Sequence, residues 1–94
     1  MLLEYKLREG AYVEGSFLVD EESGNLYELN EEASVVLSLI SGEWLSPVGI
    51  VDLLSEEWEF EDVEQAVKDI EKFLESLCSE GVVLRRDPGE KEKG

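Results

Sequence analysis

Asn25-Leu-Tyr-Glu-Leu29-Asn30-Glu-Glu-Ala33-Ser-Val-Val-Leu-Ser-Leu-Ile-Ser-Gly42 reads as a short strand running directly into a capped helix. Leu26, Tyr27 and Leu29 suit a pleated, half-buried surface. Asn30 is a preferred N-cap because its side-chain oxygen accepts from an orphan N–H of the first helical turn. Glu31 and Glu32 follow, at the end of the helix where the backbone dipole favours acids. Ala33, Val36, Leu37 and Ile40 recur at helical spacing, and Val35 and Leu39 widen the stripe. A stripe that wide is buried on more than one side. Gly42 is placed at C′, where a left-handed residue ends many helices.

Working back from this stretch, Glu21 to Asn25 is a hairpin loop with Gly24 supplying positive φ. Ser16 to Asp20 is the preceding strand. Leu2 to Arg8 alternates as an edge strand, which Ala11 to Val13 continues after a bend at Gly10. The first 30 residues thus form a three-stranded antiparallel meander.

Working forward, Ser46 caps a second helix with Pro47 at its first position. Gly49 costs that helix roughly 1 kcal/mol against Ala. Asp62-Val-Glu-Gln65 has capping-box spacing. The third helix runs from there to about Glu80, roughly 27 Å at 1.5 Å per residue. Gly81 ends it, and Val82 to Leu84 pair as a last short strand. The fold class is α+β and winged-helix-like, with the meander followed by three helices and a C-terminal strand. Residues 1–86 form one domain and 87–94 a disordered tail. The third helix touches both other helices and the sheet, or leaves one flank open as a groove.

The net charge is −16. Sixteen acids and no base lie between Glu9 and Val67. Such a field repels nucleic acid and anionic lipid and favours a positively charged partner. The third helix occupies the place of a DNA-recognition helix, but Glu64, Asp69, Glu71, Glu75 and Glu80 outweigh Lys68 and Lys72. No apolar run suits a membrane span or an export signal, and the single cysteine, Cys78, fits a reducing cytoplasm.

The chain contains no histidine. That removes Ser-His and Cys-His nucleophile pairs and His-ligated metals. Cys78 lies among apolar helix positions as an inert core residue. The acids from Glu56 to Glu64 lack calcium-loop spacing. The glycines make no phosphate-cradling loop, and no Asp-Ser pair marks an acyl carrier. Trp44 and Trp58 read as partial core plugs. The expectation is no enzyme, no cofactor and no metal.

From Phe17 to Leu84 the chain resembles the PqqD-like family, the recognition elements that bind leader regions of ribosomally made precursor peptides. Three pieces in order carry the resemblance. Leu29-Asn30-Glu-Glu-Ala33 leads into an apolar helix closing on Gly42. A capped second helix, from Ser46, carries Ile50. The third helix holds Asp69, Phe73, Leu74, Leu77 and Gly81. Three departures stand out: Ser41 where Asp is frequent, Glu32 where Thr is common, and a link Glu43-Trp44-Leu45 one residue longer.

The resemblance implies a non-catalytic peptide chaperone. A leader segment adds as a strand beside Leu26, Tyr27, Glu28 and Leu29 and packs against helix 3, with Ala66, Asp69, Ile70 and Phe73 as the candidate wall. Asp69 is the better candidate for a polar contact. The implied partners are the precursor peptide and a separate maturation enzyme, such as a radical SAM protein or a leader peptidase/cyclase. The alternative is an acidic adaptor or inhibitor that covers a cationic protein surface.

Overall fold

In the computed structural model, residues 3–88 are described. The order is β1 (Glu4–Leu7), β2 (Ala11–Glu14), β3 (Phe17–Asp20), β4 (Asn25–Glu28), α1 (Glu31–Leu39), α2 (Pro47–Leu54), α3 (Val63–Glu80) and β5 (Val83–Arg86). Of the tail expected over 87–94, only Asp87 and Pro88 fall among the described residues.

The three-stranded antiparallel meander is present as β2-β3-β4. Its first hairpin closes over Gly15-Ser16, with Gly15 at φ +61°. Glycine at the first central position is what a type II′ turn requires. The first segment differs from the sequence expectation. β1 is not continuous with β2 but pairs antiparallel with β5, Glu4 opposite Arg86 and Leu7 opposite Val83. Tyr5 and Leu7 are buried there, and the Arg8 N–H donates to the Val82 carbonyl. On its other side, Tyr5 exchanges backbone hydrogen bonds with Leu45, at 2.8 and 3.1 Å. The long link between α1 and α2 therefore serves as a bridge to β1. Trp44 in that link lies under Arg86, whose guanidinium carbon is 4.5 Å from the ring centroid, with the Lys6 ammonium at 5.8 Å. Its ring is held on the surface of the β1–β5 ribbon.

The helix starts follow the caps. The Asn30 side chain accepts from the Ala33 N–H at 2.8 Å, Ser46 from Gly49 at 3.0 Å and Asp62 from Gln65 at 3.2 Å. Two details differ. α1 ends at Leu39 with Ile40 as its cap, so Gly42, at φ +90°, stands one residue beyond C′. The Asp62–Gln65 box is half made, because the Gln65 amide donates forward to Asp69 Oδ1 at 3.0 Å. Tyr5, Leu18, Leu37, Ile40, Ile50 and Leu74 are fully buried between the helices and the two sheets. Burial of such side chains contributes about 1.5–3 kcal/mol each. Cys78 packs against this core, and burial pushes its thiol pKa up.

Candidate functional site

β4 is an edge strand. β3 lies on one side of it, and among the described residues no strand lies on the other. The direction of its backbone groups follows from one bond. The Leu29 N–H donates to the Ser16 carbonyl at 2.7 Å, toward β3. Amide directions alternate along a strand and pairs in an antiparallel ladder alternate with them. With Leu18 opposite Tyr27 and Phe17 opposite Glu28, the N–H and C=O of Tyr27 face β3. Those of Leu26 and Glu28 face the open side. Four backbone groups are thus presented along that edge.

The side chains of β4 divide accordingly. Tyr27, opposite the buried Leu18, turns inward and packs against the core. Leu26, 65 % exposed, and Glu28 lie on the outer face. Leu29 is buried in the core and secures the strand where it enters α1. The hairpin behind the strand is fixed by Asp20, a buried carboxylate. It accepts from Ser23 Oγ at 2.8 Å, from Arg8 Nη2 at 2.6 Å and from the Glu22 N–H at 3.2 Å. The Ser23 hydroxyl, then Arg8 and the Glu22 amide, hold its pKa below the usual carboxylate value against the opposing effect of burial.

Where β4 passes into α1, a groove opens between α1 and α3. Its first cavity, about 230 Å³, is lined by Asn30, Glu32, Ala33, Val36, Asp69, Ile70 and Phe73. A second, about 210 Å³, shares Glu32, Val36, Asp69 and Ile70, and adds Leu54, Trp58, Phe60 and Ala66. All four residues expected on α3 therefore line this groove. Ala66, Asp69, Ile70 and Phe73 fall at helical spacing on one flank. Leu26, Tyr27, Glu28 and Leu29 do not line either cavity; β4 runs up to the groove and meets it at Asn30.

Sequence reasoning missed the opposite wall. Ala33 and Val36 were part of the α1 stripe read as buried; Val36 lies in the core and Ala33 against it, and both also line the first cavity. Trp58 and Phe60, whose ring centroids are 6.3 Å apart and tilted by 60°, pack against the core and also line the second cavity.

The far end of α3 is tied down. Glu75 accepts from Tyr5 Oη and from Arg85 Nη1, both at 2.6 Å. Arg85 first, and Tyr5 next, hold the Glu75 pKa below its usual value. Burial, reinforced by Glu75, pushes the Tyr5 phenol well above its own. These bonds fix α3 to β1 and β5.

Among known proteins, residues 15–83 match the family model described as coenzyme PQQ synthesis protein D, PqqD. The match takes in β3, β4 and all three helices and stops at the first residue of β5. The chain is also similar to a solved structure described as lasso peptide synthetase B1 complexed with the leader peptide. The TM-score is 0.68 at 29 % identity, over 86 % of this chain and 98 % of that one. No curated protein matches the chain.

Proposed function

The chain belongs to the PqqD family, and on that footing we propose that it is a non-catalytic module binding the leader region of a ribosomally synthesised precursor peptide. The leader adds as a strand to the open side of β4, and its inward side chains enter the groove between α1 and α3. The observation that carries this reading is the unpaired β4 edge beside an apolar groove. The complex of the similar lasso peptide synthetase B1 with a leader peptide supports it. Leu26 and Glu28 supply the backbone ladder. Tyr27 and Leu29 hold the strand from inside, and Ala66, Asp69, Ile70 and Phe73 form the far wall.

Magnitudes show that both parts are needed. Four edge hydrogen bonds at about 0.5–1.5 kcal/mol each stabilise by roughly 2–6 kcal/mol. Ordering a flexible leader costs about 2–5 kcal/mol. Backbone pairing alone is close to neutral, whereas micromolar binding needs about −8 kcal/mol. Two or three apolar side chains in the groove, at about 1.5–3 kcal/mol each, supply the difference.

Residues 1–86 would act in the cytoplasm and present the leader to a separate maturation enzyme. A leader peptidase/cyclase is favoured over a radical SAM protein by the likeness to a lasso peptide synthetase component. Among the described residues no helix is long and apolar enough to cross a membrane.

The test uses the leader of a precursor encoded beside this protein's gene, titrated by fluorescence anisotropy. Glu28→Pro removes an N–H from the open edge and is expected to weaken binding by at least about tenfold. Glu28→Ala, which keeps the backbone, should stay within about threefold. The competing account, an acidic adaptor that uses only surface charge, requires proline and alanine to act alike, because both remove the same carboxylate.

A further inference from the structure

The groove extends past the region that faces β4. Its second cavity is lined by Leu54, Trp58 and Phe60 as well as by α3. Beyond it, an open cleft is formed by Glu31, Glu32 and Glu59 around the same two aromatic rings. Glu32 and Asp69 stand on the rim of both groove cavities. Among the described residues no lysine or arginine lines any of these three spaces. Among the described residues, three carboxylates thus surround the aromatic pair at the mouth of the groove, and a fourth, Asp69, lines the groove behind it.

The protein's other tryptophan shows the filled version of this chemistry. Trp44 carries Arg86 over its ring. Among the described residues no cation sits on Trp58. A guanidinium suits such a hollow better than an ammonium. It is planar, more weakly hydrated, stacks on aromatic faces and donates two parallel N–H bonds to a single carboxylate.

We infer that the hollow formed by Trp58, Phe60, Glu31, Glu32 and Glu59 is a second subsite that binds an arginine side chain of the same peptide whose strand pairs with β4. This rests on the leader-binding reading and adds a specificity rule to it. Phe73 and Ala66 mark the two ends of the groove along α3, seven residues or roughly 10 Å apart at 1.5 Å per residue. An extended peptide covers that distance in about three residues. The arginine, seated in the cleft beyond Ala66, therefore lies at least about three residues from the apolar side chain that fills the first cavity. Glu32, one of this chain's departures from the family pattern, reads both positions.

The test is selection of binders from a displayed library of random 15-residue peptides at about 0.3 M salt, where diffuse attraction between exposed charges is screened. The expected result is enrichment of an apolar position with arginine, in preference to lysine, at a fixed spacing of at least about three residues. In an isolated peptide, arginine to alanine should weaken binding about tenfold. Selection on the Glu32→Gln/Glu59→Gln double variant should lose the arginine and keep the apolar position. These are exposed side chains, so the variant leaves the core intact. Trp58→Phe should reduce arginine selection in the same way. Apolar enrichment without arginine, or arginine enrichment that survives the double variant, overturns the subsite and leaves the leader-binding reading standing. Failure to enrich any peptide overturns both.

Discussion

Asp20 is the residue on which the binding edge depends most. It never meets the groove, yet its three hydrogen bonds set the β3–β4 turn that aims Leu26 and Glu28 outward. Its pKa is lower in the folded chain than in the unfolded one. Its contribution to stability is therefore full above the ordinary carboxylate pKa and is lost as pH falls through the depressed folded value. Asp20→Asn leaves Arg8 without its buried partner and is expected to lower Tm at pH 7 by about 5 °C or more. The gap between the melting temperatures of the two proteins should narrow as pH falls below the ordinary carboxylate pKa. A gap that does not narrow at all would show that Asp20 acts by packing alone.

At the scale of elements, what could be read directly was local. Asn30, Ser46 and Asp62 announced three helix starts because a cap is a contact between residues three apart. The meander and the α3 flank followed from periods of two and 3.6. The partner of β1 did not follow. Alternation in Leu3, Tyr5 and Leu7 says that a strand has a buried face, not which distant strand lies beside it. Pairing across nearly the whole chain, Glu4 to Arg86, leaves no local mark. The position of Gly42 misled for a related reason. α1 stops one residue early, where the Ile40 carbonyl accepts from the Leu7 N–H at 3.0 Å, a tertiary bond. For the candidate site, the α3 residues were legible through the family resemblance, since an apolar arc too wide for one neighbour is satisfied either by several neighbours or by an open flank. The facing wall was not. Val36 and Trp58 each serve core and groove together, and in sequence the core role alone accounts for them.

At the scale of the molecule, charge is segregated. Among the described residues, Arg8, Arg85 and Arg86 are paired with Asp20, Glu22, Glu75 and Glu4, around the β1–β5 end. The acids from Glu28 to Glu64 have no base between them in the chain, and Glu31, Glu32 and Glu59 among them lie at the groove and its cleft. Attraction of a basic peptide or enzyme surface to that side is long-range and screened by salt. The Debye length falls from about 10 Å at 0.1 M to about 3 Å at 1 M. Leader affinity should therefore drop several-fold between about 0.05 and 0.5 M NaCl, chiefly through a slower association rate. An affinity indifferent to salt would mean that the acidic surface serves solubility only.

The binding edge itself is most directly tested by amide hydrogen exchange resolved at single residues of β4. In the free protein the Tyr27 amide, bonded toward β3, should exchange slowly, and those of Leu26 and Glu28 quickly. With leader peptide bound, Leu26 and Glu28 should become protected by about tenfold or more while Tyr27 changes little. Bound peptide that leaves the Leu26 and Glu28 amides exchanging at their free rates would contradict strand addition at β4.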